Sequence, residues 1–475
     1  MNFDFKKAVC IAMSSVMVAC FAGCGGSEKS QSSEPVSNTA SDSSSDKTAE
    51  FVDKKYDLNG RTITVWAESN IPKKGSLLYE SMQETMKNFN CKFNWVAKSD
   101  YTTTIETLTS EHLAGKPSFD VVQVRSTTLA PILAASGTLL AMDEVYDFNN
   151  DPTWQHEWVK DKGNWKGHKY GIYAQAQEPG YAIFYNKALF RKFNVKDPWE
   201  YVESNEWNFD TFRSVCKQLT KDTNGDGEND YWAFTSEDPW LDFIMANDAH
   251  VVNMDEKKGT AKVELDSKAS IDAIQYVADL FNVDNVIPDG AEAAKIADTV
   301  FNAMFTGKVA MFPYQVRYGA VMVKQGIAAE DVGWVYLPKG PNAKDYIIGC
   351  RTIGSLWAFP AKIENAEEVV AAWQDAVGYW DESKATRKPI ETGLTELIED
   401  EEMSAYLVGN NKKLLMEGGV KTRLSLADNF GLFELLQTEL WVPILKQEQT
   451  PKTAVKSLLP KIETKITETC EGVVS

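Results

Sequence analysis

Between residues 61 and 124 the chain alternates between two hydrophobic rhythms. Arg61-Thr62-Ile63-Thr64-Val65-Trp66 is β-branched, places an apolar side chain at every second position and follows an Asn59-Gly60 turn, which predicts a strand. Apolar residues from Leu77 to Asn88 recur at helical spacing. Cys91 to Val96 predicts a second strand. Thr103 to Leu113 predicts a second helix, stopped by Ala114-Gly115-Lys116-Pro117. Phe119-Asp120-Val121-Val122-Gln123-Val124 predicts a third strand. Strand–helix–strand alternation of this kind builds parallel β-α-β units, so the fold class is α/β. At 475 residues the chain is too long for one ordinary domain, and two or more are expected. No internal repeat is visible, and no loop has the G-x-G-x-x-G or P-loop pattern.

The first residues follow a different logic. Lys6 and Lys7 precede a short apolar run from Ala8 to Cys20. That run falls short of the roughly 20 apolar residues a bilayer-spanning helix needs, so residues 1–24 predict a secretory signal. Phe21-Ala22-Gly23-Cys24 resembles the bacterial lipobox, with Phe21 where Leu is usual, and Cys24 is the expected lipidation site. Residues 25–55 are mostly polar and Ser-rich, and cannot bury enough surface to order themselves. They predict a tether between a lipid anchor and a folded body that begins near Tyr56. No later segment is long and apolar enough to cross a membrane.

Charge and cysteines narrow the classes further. A formal net charge of -19 repels phosphate backbones and argues against a nucleic-acid partner. The histidines and cysteines show no zinc-ligand spacing. Cys91, Cys216, Cys350 and Cys470 read as buried apolar residues.

Six further segments, in order, carry a family resemblance. They are Leu113-Ala114-Gly115 with Phe119-Asp120-Val121-Val122; Gly137-Thr138-Leu139-Leu140-Ala141-Met142-Asp143; Trp165-Lys166-Gly167-His168-Lys169-Tyr170-Gly171-Ile172; Phe184-Tyr185-Asn186-Lys187-Ala188-Leu189-Phe190; Trp207-Asn208-Phe209-Asp210-Thr211-Phe212; and Ala303-Met304-Phe305-Thr306-Gly307-Lys308-Val309-Ala310-Met311. Each is weak alone. Together they span nearly the whole folded chain and resemble the extracellular solute-binding proteins (family 1) of carbohydrate ABC importers. Tyr173 stands where that family commonly has Pro.

The resemblance implies a two-lobe, periplasmic-binding-protein-like fold of type II, with crossing hinge strands and a ligand between the lobes. Lobe one is expected at residues 56–174 and 314–350, and lobe two at 178–313 and 355–475. Crossings fall near Tyr173 to Tyr181, Phe312 to Gln315, and Gly349 to Ser355. The implied role is capture of a sugar or oligosaccharide, without catalysis. The implied partners are the permease subunits of an importer and, through Cys24, the extracellular face of the membrane; the protein is expected to act as a monomer. Two rival readings remain: a surface glycoside hydrolase, or the same fold carrying a peptide or another solute.

Sugars offer C–H faces to aromatic rings and hydroxyls to short polar side chains, so a sugar site combines the two. Fourteen tryptophans supply rings, although most of them are expected to be core. Trp66, Glu68 and Asn70 follow the first predicted strand at its carboxyl end, and Arg125 follows the third; ligands in open α/β sheets bind at such ends. Gln175, Glu178 and Tyr181 lie on the first crossing, Tyr314 and Arg317 at the second, and Arg351 at the third. Glu237 and Trp240 follow the strand Trp232-Ala233-Phe234, and Asn429 and Phe430 precede a helix in the last segment. Trp240 and Tyr314 are the expected stacking rings, with Glu68 and Arg125 as hydroxyl partners.

A second candidate site lies at Asp222-Thr223-Asn224-Gly225-Asp226-Gly227-Glu228-Asn229-Asp230. Asp222, Asn224 and Asp226 put oxygens at alternate positions, Gly227 allows a sharp turn, and Glu228 and Asp230 follow. Hard oxygens at this spacing suit a structural Ca²⁺ ion. The final Glu of an EF-hand loop is replaced by Ala233, and the alternative is an Asx-rich turn that needs no metal.

Overall fold

The structure, a computed structural model, describes residues 54–67, 72–97, 102–155, 160, 162–172, 181–315, 327–350, 354–378 and 421–473. The signal-like segment, Cys24 and nearly all of the tether lie outside them. In chain order the strands are β1 (Arg61–Ala67), β2 (Cys91–Ala97), β3 (Val121–Arg125), β4 (Asn164–Trp165), β5 (His168–Lys169), β6 (Tyr181–Asn186) and β7 (Trp232–Phe234). They continue with β8 (Val252–Asp255), β9 (Thr260–Val263), β10 (Val309–Gln315), β11 (Val332–Val335), β12 (Ile347–Cys350), β13 (Ser355–Ala358) and β14 (Lys421–Leu424). The helices used below are α1 (Leu77–Asn88), α2 (Thr102–Ala114), α3 (Phe209–Leu219), α4 (Pro239–Ala246), α5 (Lys268–Asn282), α6 (Ala366–Val377) and α7 (Pro451–Glu471).

Two sheets organise the molecule. The first has the order β13-β3-β1-β2, with β2 and β3 parallel to β1 and β13 antiparallel to β3. The period-2 pattern of β1 places Ile63, Val65 and Ala67 in the core of this lobe. The third strand starts at Val121 rather than Phe119, because the Asp120 carboxylate is engaged by Arg61 at 2.6 Å and by the Thr64 N–H at 2.8 Å. Helix α6 completes the lobe: its Trp373 joins the core of Val65 and Val121, and the Ser81 hydroxyl of α1 donates to the Ala376 carbonyl at 2.8 Å.

The second sheet runs β14-β12-β6-β10-β7, with β11 also paired to β6. Its core gathers Tyr185, Phe212, Phe234 and Phe243 with residues of α5 and α7. Side chains close the helix starts: Asn208 accepts from the Thr211 N–H at 3.0 Å, and Ser267 from that of Ser270 at 3.1 Å.

The strand pairings redraw the expected lobes. Residues 314–350 were expected in lobe one, but β11 and β12 pair with β6 and so belong to the second sheet. Strand β10 likewise stays paired with β6 to its end at Gln315, so Phe312 to Gln315 is no crossing. Residues 355–377 were expected in lobe two; β13 pairs with β3 and α6 packs in the first core. The chain passes from the second sheet to the first between Cys350 and Ser355. Cys91 and Cys216 are buried thiols and Cys470 is partly buried.

Candidate functional site

Strand direction decides which residues share an edge. In the first sheet β1 lies between β2 and β3, so the connections leaving β1 and β3 run to opposite sides, a switch point of the kind at whose carboxyl ends open α/β sheets bind ligands. Trp66 and Arg125 sit at those ends. The Trp66 ring is half-buried against Phe119, with centroids 4.8 Å apart. Arg125 is exposed, and the N–H of the adjacent Ser126 donates to the Gly354 carbonyl at 2.9 Å.

In the second sheet β7, β10 and β12 run one way and β6 the other. One edge therefore collects the start of β6 at Tyr181, the end of β10 at Tyr314, the end of β12 at Cys350 and the turn after β7 at Glu237. The two edges are neighbours for a simple reason. Ser355 pairs with Arg125, and Cys350 to Ser355 is a reach of at most about 17 Å for an extended chain. The carboxyl end of β3 and the end of β12 therefore lie within one short connection of each other.

Tyr314 is half-buried, stacks on Phe312 with centroids 5.1 Å apart, and meets Tyr181 edge-on at 6.1 Å. Glu237 is exposed on a turn fixed from below: the buried Ser236 hydroxyl donates to Asp242 at 2.6 Å and accepts the Asp238 N–H at 3.2 Å. Neither Ser236 nor Asp242 was expected to matter. The signal was present in Ser236-Glu237-Asp238-Pro239, a polar turn that leads Pro into the first turn of α4.

Two expected contacts are corrected. Trp240 is wholly enclosed: every residue of α4 is buried, the ring belongs to the second core, and the indole N–H is committed to the partly buried Gln437 at 3.1 Å. Phe430 is likewise enclosed in that core. Its neighbour Asn429 faces the other lobe and donates to the Ala130 carbonyl at 2.8 Å. Glu68, Asn70, Gln175, Glu178, Arg317 and Arg351 lie outside the described residues.

The 222–230 loop is closed by its own donors. Asp222 accepts the N–H groups of Gly227 at 2.8 Å, Gly225 at 2.6 Å and Asn224 at 3.2 Å. Asp230 accepts the Thr223 N–H at 2.7 Å and the Asn224 amide at 3.3 Å. The Gly227 and Gly225 N–H groups hold the Asp222 carboxyl below the usual range, and the Thr223 hydroxyl does the same for Asp230. Asp226 accepts from Glu228, whose own carboxylate lies 3.7 Å from Lys295. Among the described residues no three His, Cys, Asp or Glu side chains converge as a metal site.

A mixed α/β chain built on two sheets, which the chain links between Cys350 and Ser355, has the two-lobe periplasmic solute-binding fold. The family model described as bacterial extracellular solute-binding protein matches residues 69–375, and the chain belongs to that family. By sequence, no curated protein matches it. Solved structures share its fold. An ABC substrate-binding protein from Listeria monocytogenes, in complex with cycloalternan, is 17% identical over 86% of this chain and 99% of its own, with a TM-score of 0.60. The maltose/maltodextrin-binding domain MalE from Bdellovibrio bacteriovorus, bound to maltotriose, is 17% identical over 86% and 100%, at 0.57. The GacH receptor of Streptomyces glaucescens, solved unliganded and with acarbose, is 18% identical over 86% and 99%, at 0.58. Among the described residues no helix is long and apolar enough to cross a membrane.

Proposed function

We propose that this protein is the substrate-binding component of an ABC importer and captures a sugar or oligosaccharide in the inter-lobe crevice. The observation that carries the reading is the meeting of two unlike edges. Half-buried Trp66 and exposed Arg125 lie at strand ends of the first sheet, and half-buried Tyr314 and exposed Glu237 at or just past strand ends of the second. Rings of this kind cover C–H faces, and the charged groups accept and donate to hydroxyls. The cycloalternan, maltotriose and acarbose held by proteins of the same fold lend the reading support.

The proposal includes no catalysis, a lipid anchor at Cys24 on the extracellular face of the membrane, permease subunits as partners, and a monomeric state. It also includes a Ca²⁺ ion at the 222–230 loop, which would draw Asp222, Asp226 and Asp230 inward from their present partners. Isothermal calorimetry against maltotriose, a cyclic glucan and a tripeptide, with sugar products assayed in parallel, tests the main claim. Heat on adding a saccharide without product release supports it. Turnover points to a glycoside hydrolase, and heat with the tripeptide alone points to another cargo.

A further inference from the structure

The lobes also meet along a seam that starts next to Arg125, where residues 126–128 lie against 428–430, and runs on from there. On lobe one the seam is a platform of two stretches, 129–136 and the β4–β5 hairpin, which pack on each other: Trp165 shares a core with Leu129, Ala130 and Leu133. On lobe two it comprises the β8–β9 hairpin, the end of α7, and Asn429.

The contacts along it are close and combine backbone with side chains. The Lys166 N–H donates to the Glu256 carbonyl at 2.7 Å. Gly259 lies under the Lys166 side chain, so near that a Cβ there would fall 2.3 Å from Lys166 Cγ. Gly472, left-handed at the end of α7, leaves the same kind of space for the Ala135 carbonyl, which an added Cβ would meet at 2.3 Å. Met254 and Cys470 pack against the cores of both lobes. Asn429 reaches the Ala130 carbonyl at 2.8 Å.

Packed interfaces are rarely deformed gradually; they either hold or come apart, and hinge closure leaves one contact fixed while others move. We propose that this seam is a permanent pivot. It stays packed in ligand-free and ligand-bound protein, and closure is a rotation about it that moves the Tyr314 and Glu237 edge toward Trp66 and Arg125. Closure itself rests on the capture reading above; the permanence of the seam does not.

Amide hydrogen exchange on the full chain, read at single residues by fragmentation mass spectrometry, tests it. Without ligand, the Lys166 amide should exchange as slowly as the central amides of β1. Adding maltotriose should change its rate by less than about twofold. Gly259→Val should speed exchange at Lys166 at least tenfold while the β1 amides stay slow, which also shows that the variant is folded. Free exchange at Lys166 in the ligand-free parent overturns the pivot, as does an unchanged rate in Gly259→Val. Persistent protection at Lys166 in protein that no saccharide compacts supports the permanent seam and refutes capture by closure.

Discussion

The Tyr314 ring meets Tyr181 edge-on, with centroids 6.1 Å apart and planes at 70°, where β10 ends beside the start of β6. Phe312 stacks behind Tyr314, so its ring is held from two sides and remains only half-buried. Such a ring is ready to stack on a sugar without first losing rotamer freedom.

Tyr314→Ala should therefore weaken saccharide binding by about 1.5–3 kcal/mol, the range for burying a large apolar side chain. That corresponds to roughly tenfold to hundredfold in affinity. Calorimetry reads the affinity and circular dichroism checks the fold. Parent-like binding by a folded Tyr314→Ala protein would exclude Tyr314 from the site.

Trp240 should behave oppositely. Its ring is enclosed by the second core, so Trp240→Ala should cost about 3–5 kcal/mol of stability in denaturant titration. Trp240→Phe should lose much less and bind saccharide like the parent. A loss of affinity in a stable Trp240→Phe protein would return this side chain to the ligand.

The 222–230 loop couples to calcium and to acid. Added Ca²⁺ should raise the melting temperature of chelator-treated protein, by mass action on the folded state, and Asp226→Ala should abolish the rise. No rise in the parent would leave the loop held by hydrogen bonds alone. Asp222 and Asp230 both titrate below the ordinary value of 3.8. Their contribution is therefore complete above that pH and is lost as the pH falls below it toward the lowered values. The protection of the Gly225 and Gly227 amides, taken relative to the intrinsic exchange rate at each pH, should fall over that interval and stay constant between pH 5 and pH 8, the neutral range in which no ordinary carboxyl titrates.

Anchoring is separable from folding. Cys24→Ala, expressed in a lipoprotein-processing bacterium, should move the protein from the membrane fraction to the medium with its melting temperature unchanged. Retention with membranes would show that Cys24 is not the lipidated residue.

Local pattern carried the first lobe well. The alternation in Arg61 to Trp66 and the helical spacing from Leu77 to Asn88 need no distant partner to be read, and the structure has β1 and α1 there. Lobe membership after residue 312 was not legible. Val332–Val335 and the Ile347 and Ile348 of the next strand are buried, and nothing in an all-apolar run says which sheet it joins; only the pairing with β6 decides that. Trp240 misled for a related reason. Following a strand end and a polar turn, it has the sequence context of a crevice residue, yet α4 is buried on every side, and burial on all faces is a tertiary fact. Trp66, Arg125, Glu237 and Tyr314 do lie at or just past strand ends, as their sequence context indicates, and a position at a strand end survives even when strand partners are misassigned.

Small-angle X-ray scattering of the folded protein, with and without maltotriose at a concentration that calorimetry shows to saturate, tests the central claim most directly. Capture between the lobes predicts a smaller radius of gyration in the bound state, abolished or weakened in parallel by Tyr314→Ala and Arg125→Ala. Saturable binding without compaction, or a glycan panel that gives no heat while a peptide does, would contradict it.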